Sequence, residues 1–261
     1  MTNALADLLR AGGQGIGSWC STRDPFTVEV LTTDGVDFVC IDCQHGLGDR
    51  ASLPSLLPAV RGAVTPLVRV SSNDPAEIGR ALDLGAGGVI VPMVETAAQA
   101  AAAVAACRYP PEGHRSYGPT RAGLTLGTDP DTLASHPLCF VMIETPAGVD
   151  NAAAICRVEG LGGVYIGPAD LAIGLGIPPA AMLGNRRHGE AIRTVLDACR
   201  AEGRFAGIHT TGGADAATRL EGGFHLVSLP TDVTLLRAAV KRELAVARGA
   251  KGPLPALRPY G

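Results

Sequence analysis

Lysine is almost missing from this chain. Of its 22 basic residues only Lys241 and Lys251 are lysines, and both stand near the C-terminus. Schiff-base chemistry needs a lysine held inside a core. None is available in the body of the chain, so covalent imine catalysis is excluded. A G-x-S-x-G elbow and a Walker A loop are also lacking. The net charge is −3 with no polybasic run, which argues against a nucleic-acid partner. Apolar stretches are broken by glycine, proline or charge, so no membrane span is expected. The segment Met1–Arg10 has no basic stretch followed by an apolar core and does not read as a secretory signal. A cytoplasmic enzyme is the expectation. The seven cysteines are odd in number and irregular in spacing, which argues against a disulfide framework. Cys40 and Cys43 form C-I-D-C at the end of an apolar run. With no second pair to complete a zinc site, they read as strand cysteines.

Apolar residues make up 46% of the 261 residues, enough to bury a large core. Short runs rich in valine and isoleucine recur at Gly15–Trp19, Phe38–Cys43, Pro66–Val70, Val89–Met93, Cys139–Thr145, Val164–Gly167, Phe205–His209 and Phe224–Leu229. Helical composition separates them, most clearly at Pro75–Leu84, Thr96–Cys107, His188–Glu202 and Thr231–Arg248. Asp74 reads as an N-cap, with Pro75 and Thr231 as helix starts. Alternation of strand and helix repeated eight times predicts an α/β fold, a (β/α)8 barrel, as a single domain over 1–261. An open doubly wound sheet would want G-x-G-x-x-G after its first strand, and Gly15-Ile-Gly17 lacks the remainder. The loop 108–131 is long for a connection. Its glycines suit a lid over the site, and packing between subunits is the equal alternative.

Active sites of such barrels lie at the C-terminal ends of the strands. There the sequence places Asp42 at the end of the second run with His45 after it, Arg69 in the third, Glu144 at the end of the fifth, Asp170 after the sixth and His209 ending the seventh. Two carboxylates from adjacent strands, Glu144 and Asp170, suit a hard divalent ion such as Mg²⁺ or Mn²⁺ with positions left for a chelating 2-oxo acid. Arg69 suits charge developing on an enolate oxygen. The turn Gly167-Pro168-Ala169-Asp170 opens a helix whose first amides, at Ala169 and Asp170, suit a carboxylate. An imidazole can take a proton at neutral pH, so His45 suits a base. Asp42 and Asp83 are both candidates for the acid beside it. His209 is a candidate substrate contact.

These residues sit in stretches that resemble the HpcH/HpaI aldolases, pyruvate-dependent class II enzymes of the phosphoenolpyruvate/pyruvate barrel superfamily. The stretches are V-C-I-D-C-Q-H-G at 39–46, L-V-R-V at 67–70, N-D-P at 73–75 and A-L-D-L-G-A-G-G-V-I-V-P-M-V at 81–94. They continue with R-Y-P-P-E-G-H-R-S-Y-G at 108–118, V-M-I-E-T at 141–145 and V-E-G-L-G-G-V-Y-I-G-P-A-D-L at 158–171. The resemblance runs in order from about residue 5 to 245. It implies Glu144 and Asp170 as metal ligands for Mg²⁺, Mn²⁺ or Co²⁺, His45 as a base working through water, and Arg69 as stabiliser of the transition state. It also implies Asp83 as the acid that raises the basicity of His45, and the amides of Ala169 and Asp170 as the seat of the substrate carboxylate. The reaction implied is reversible cleavage of a 4-hydroxy-2-oxo acid to pyruvate and an aldehyde. The assembly implied is a homo-oligomer, a hexamer built as a dimer of trimers with the last helix exchanged between subunits. Gln44 and Met142 depart from the glutamate and glutamine of many members, which leaves the substrate open. Two other readings stand beside this one. An acyl-CoA-type lyase related to citrate lyase β subunits would need a basic surface, with Arg186 and Arg187, or Arg108, Arg115 and Arg121, as its material. A non-catalytic barrel that binds a 2-oxo acid would need no base.

Overall fold

A computed structural model describes residues 3–249. Eight parallel strands close in sequence order: β1 (Gly15–Cys20), β2 (Phe38–Asp42), β3 (Thr65–Arg69), β4 (Gly88–Val91), β5 (Leu138–Ile143), β6 (Gly163–Ile166), β7 (Phe205–His209) and β8 (Leu226–Thr231). Helix α1 (Ala4–Arg10) precedes β1. Between strands run α2 (Pro25–Leu31), α3 (Leu53–Ala59), α4 (Pro75–Asp83), α5 (Ala97–Cys107), α6 (Ala122–Leu126), α7 (Pro130–Ser135), α8 (Pro146–Asp150), α9 (Ala152–Cys156), α10 (Pro168–Gly174), α11 (Arg186–Ala201) and α12 (Gly213–Glu221). Helix α13 (Asp232–Ala247) follows β8. The expected barrel is present, and the strand bounds lie within about two residues of the expected runs. Asp74 caps α4 by accepting from the Ala76 amide, and Thr231 caps α13 by accepting from that of Thr234.

Strand side chains alternate between two faces. The outward set, including Val39, Ile41, Val68, Val89, Val141 and Val164, packs beneath the helices in the larger core. The inward set, including Phe38, Cys40, Leu67, Ile90, Phe140, Met142, Tyr165 and Leu226, fills the barrel. Close packing needs small neighbours beside large rings. A Cβ on Gly207 would lie 2.5 Å from the Tyr165 ring, so only glycine fits there. At the N-terminal face α1 closes the barrel with Leu5, Ala6 and Leu9. Its cap residue Asn3 donates Nδ2 to the Gly87 carbonyl at 2.6 Å. The packed lower half leaves only the C-terminal mouth for chemistry.

The long connection is partly helical, holding α6 and the start of α7 around a small cluster of Tyr109, Ala122 and Leu133. It packs against the end of α4: the Arg121 amide donates to the Asp83 carbonyl at 2.9 Å. It supplies no residue to the cavity at the mouth, so within one chain it is not the lid considered above. Of C-I-D-C, Cys40 is a buried strand cysteine and Cys43 follows the end of β2, half-buried. Burial pushes the Cys40 and Cys43 thiols up, that of Cys43 to about 12, which keeps them protonated and inert.

Candidate active site

Because inward positions recur every second residue, each strand's next inward position above the core points into the mouth. That phase runs Phe38, Cys40, Asp42 on β2, Leu67, Arg69 on β3, Phe140, Met142 on β5 and Glu144 just past it, Gly207, His209 on β7 and Leu226, Ser228 on β8. A cavity of about 360 Å³ opens there, and Asp42, His45, Arg69, Glu144, Gly167, Ala169, Asp170 and His209 all line it. Every sequence-derived candidate except Asp83 is therefore brought together.

Asp42 and Arg69 are in register on neighbouring strands, and both are buried. Arg69 donates Nε to Asp42 Oδ1 at 2.9 Å and Nη2 to Oδ2 at 2.7 Å. The guanidinium also lies over the Trp19 ring, 5.0 Å from its centre, while Trp19 Nε1 donates to Asp42 at 3.2 Å. Burial alone would raise the Asp42 carboxyl, but the hydrogen bonds and charge of Arg69 outweigh it and hold the group below the usual carboxylate range. Asp42 also accepts from the backbone amides of Gln44 and His45, at 3.0 and 3.2 Å. It thus shapes the turn that carries His45 and makes no bond to the imidazole. The His45 side chain is exposed at the mouth.

Glu144 is buried just past β5. Its Oε1 accepts from the Met93 amide at 2.8 Å. Met93 has φ of 56° and is the one non-glycine residue with positive φ among the described residues. Strain of that kind costs about 1–3 kcal/mol and is typical of functional positions. Its Oε2 faces Gly167, where a Cβ would intrude to 2.4 Å. The bare glycine keeps this oxygen open toward the cavity. Burial is the main cause that lifts the Glu144 carboxyl to about 7, with the neighbouring Asp170 charge adding to it and the Met93 hydrogen bond opposing it. Asp170 stands in the first turn of α10, whose N-cap Gly167 has no side chain to cap it. No cluster of three or more histidine, cysteine, aspartate or glutamate ligands occurs among the described residues. With Asp42 bound to Arg69, Glu144 and Asp170 are the two carboxylates at the mouth that make no ion pair among the described residues.

Asp83 does not join them. Helix α4 runs back antiparallel to the strands and covers about 13 Å at 1.5 Å per residue, so its last residue arrives at the opposite end of the barrel. There Asp83 accepts from Arg115 Nη2 at 2.7 Å, and Arg115 lies over the Tyr109 ring. The expected pairing of Asp83 with His45 is not made within one chain.

The basic residues weighed for a CoA surface all lie outside the cavity, each with a partner of its own. Arg108 pairs with Glu112 and Arg186 with Glu190, while Arg121 and Arg187 donate to the carbonyls of Leu84 and Leu175. Sequence reading missed Trp19, Met93, Ser228 and Tyr165. The inward phase of β1 and β8 points to Trp19 and Ser228 once the barrel is known.

The pattern of the HpcH/HpaI aldolase/citrate lyase family matches residues 15–239. The chain belongs to this family. It is 39% identical over 245 residues to a 5-keto-4-deoxy-D-glucarate aldolase of Klebsiella pneumoniae, covering 92% of this chain and 94% of that one. Among solved structures, an HpcH/HpaI aldolase/citrate lyase family protein from Burkholderia cenocepacia superposes with a TM-score of 0.87 at 31% identity, over 95% of this chain and all of that one. The citrate synthase SbnG superposes with a TM-score of 0.85 at 28% identity, over 95% and 98%. The protein is a carbon–carbon lyase of the aldolase type, acting on 2-oxo acids.

Proposed function

We propose that this chain cleaves a 4-hydroxy-2-oxo acid to pyruvate, or a related 2-oxo acid, and an aldehyde, and runs the reaction in reverse. The observation that carries the reading is the convergence of Glu144, Asp170 and Arg69 on one cavity. The similar glucarate aldolases support it. Numbered from the far carboxyl, a 5-keto-4-deoxy-glucarate is itself a 2-oxo-3-deoxy-4-hydroxy acid.

Glu144 and Asp170 fit a divalent ion of the Mg²⁺, Mn²⁺ or Co²⁺ class. The glycine opposite Glu144 Oε2 leaves the room, and the Asp170 charge adds to the burial that already disfavours an ionised Glu144 without a cation. Such an ion, when bound, supplies Lewis-acid polarisation of the keto oxygen. The chain's own residues do the rest. The amides of Ala169 and Asp170 take the substrate carboxylate. His45, reached through water, accepts the C4 hydroxyl proton as the C3–C4 bond breaks. Arg69, held fast by Asp42, faces the oxygen that gains enolate charge.

The assembly is a homo-oligomer, a hexamer built as a dimer of trimers that exchanges α13. In support, Asp232 is the only buried residue of α13, and Val233, Leu236, Val240 and Leu244 leave an apolar face exposed. A role for Asp83 beside His45 then requires a second copy of the chain. The setting is the cytoplasm, in keeping with seven free cysteines. No helix among the described residues is long and apolar enough to cross a membrane.

The test is pyruvate release from a panel of 4-hydroxy-2-oxo acids with Mg²⁺ or Mn²⁺, then with EDTA. Release that EDTA abolishes is expected. No release from any donor, with metal-dependent pyruvate binding intact, would move the reading to a non-catalytic binder.

A further inference from the structure

The side of the mouth that this chemistry leaves unused holds a second built arrangement. His209 on β7 and Ser228 on β8 are in register, just as Asp42 and Arg69 are across the barrel. His209 Nδ1 lies 2.7 Å from Ser228 Oγ. The same oxygen accepts from Tyr165 Oη at 2.7 Å. Tyr165 and Ser228 are wholly buried. Burial pushes the Tyr165 phenol up beyond its ordinary range, so its oxygen keeps its proton and gives it to Ser228.

Proton counting then settles the imidazole. A serine oxygen can accept twice, but the one hydroxyl proton of Ser228 meets no other acceptor among its contacts, Tyr165 being a donor to it, so that proton goes to His209 Nδ1. Nδ1 is an acceptor, and the ring's own proton sits on Nε2. The ring packs edge-on against Trp19 at 5.2 Å and lines the cavity. Burial, with Arg69 adding to it, depresses the imidazole to about 4, so a neutral ring is the resident form at neutral pH. The geometry points to His209 as a neutral hydrogen-bond donor to the substrate, its Nε2–H fixed by the Tyr165–Ser228 relay.

The pyruvate half is placed by Arg69, Glu144 and the first turn of α10, on β3, β5 and β6. His209 shares its own side of the cavity with Ser21, Thr211 and Thr231, from β1, β7 and β8. The Thr211 and Thr231 hydroxyls are bonded to Asp215 and Thr234, and the lining with Trp19, Met142 and Met182 is largely apolar, so the His209 Nε2–H stands as a donor without a partner among the described residues. That donor suits an aldehyde bearing an oxygen on the carbon next to its carbonyl, whereas an alkyl aldehyde leaves the donor unanswered. We infer that His209 selects hydroxylated aldehydes over alkyl ones. This rests on the aldolase reading above, and the two can fail separately.

The wild-type enzyme with Mn²⁺ is first tested for exchange of the pyruvate methyl protons with deuterium, which reads the pyruvate half alone. Its absence would overturn the aldolase reading. The ratio of kcat/KM for glycolaldehyde to that for propanal is then measured in wild type, His209→Leu, His209→Gln and Ser228→Ala. The expected result is a ratio well above one in wild type and a fall of about tenfold in His209→Leu, carried by KM for glycolaldehyde. His209→Gln, which restores a donor, recovers part of the ratio. Ser228→Ala releases the tautomer, visible as a changed ring pattern in long-range ¹⁵N–¹H spectra. An unchanged ratio in His209→Leu with exchange intact would overturn the assignment of His209. A wild-type spectrum with the proton on Nδ1 would overturn the relay.

Discussion

Asp42 holds Arg69 in a two-point grip, Nε to Oδ1 at 2.9 Å and Nη2 to Oδ2 at 2.7 Å, with Trp19 as the third contact of the guanidinium. The grip aims a charge that cannot be lost at the place where an enolate oxygen forms. Asp42→Asn removes the charge and one acceptor while keeping the volume. It leaves the buried guanidinium short of a counter-charge, so a loss of about 3–5 kcal/mol in stability is expected. A fall of about 100-fold in kcat should accompany it. The double variant Asp42→Asn/Arg69→Met should regain stability in urea melts and stay inactive. Recovery of activity in the double variant would mean that Arg69 does not act on the reacting oxygen.

His45 presents a different case, because its ring is exposed and its backbone amide carries the contact with Asp42. Replacement by alanine should leave the melting midpoint and Mn²⁺ binding unchanged. Turnover should drop by about 10²–10⁴, the range for loss of a positioned base. Wild-type turnover in His45→Ala would show that the base lies elsewhere.

Glu144 links metal binding to pH. Its carboxyl is lifted to about 7 from an ordinary 4.5. The folded, metal-free protein therefore holds a proton that the unfolded chain gives up. By linkage its stability falls as pH rises from 4.5 through about 7. A divalent ion competes with that proton, so its affinity rises with pH over the same window and levels off above it. The increment in melting temperature on adding Mn²⁺ should be larger at pH 8 than at pH 6. Glu144→Gln should show no increment at either pH. An equal increment at both in wild type would remove Glu144 from the ligand set.

What was legible in the sequence follows from what is local. Valine-rich runs and helix-start signals are local, so the eight strands, the Asp74 cap and, to within one residue, the start of α13 at Thr231 could be read directly. Glu144, Asp170 and Arg69 stand at the ends of such runs, and barrel geometry alone carries strand ends to one mouth. The contact of Ser228 with His209 was not legible, because it depends on the register of β7 against β8. Tyr165 reads as ordinary core until Gly207 is seen to make room for its ring. Asp83 stands apart from the mouth of its own chain for a topological reason: it closes a helix, and helices of this fold return to the face opposite the mouth. The loop 108–131 offered its glycines to a lid, yet its arginines are spent on the end of α4 and on itself.

Helix α13 is fixed only at its root. The Asp232 carboxylate accepts from the amides of Ser21 and Thr22, at 2.9 and 3.1 Å, and from the Thr22 hydroxyl at 2.7 Å. Beyond that residue the helix buries nothing, and Leu236 remains 67% exposed. Val233, Leu236, Val240 and Leu244 recur at spacings of three and four, which sets them on one face. An apolar stripe of this length is a liability for a monomer and a sound core for an exchanged helix. Light scattering on wild type should give a mass of six chains. Leu236→Glu/Val240→Glu should give smaller species, with far-ultraviolet circular dichroism of an intact barrel. If wild type runs as a monomer at micromolar concentration, α13 is not exchanged. Any service of Asp83 to His45 would then lose the second chain it needs.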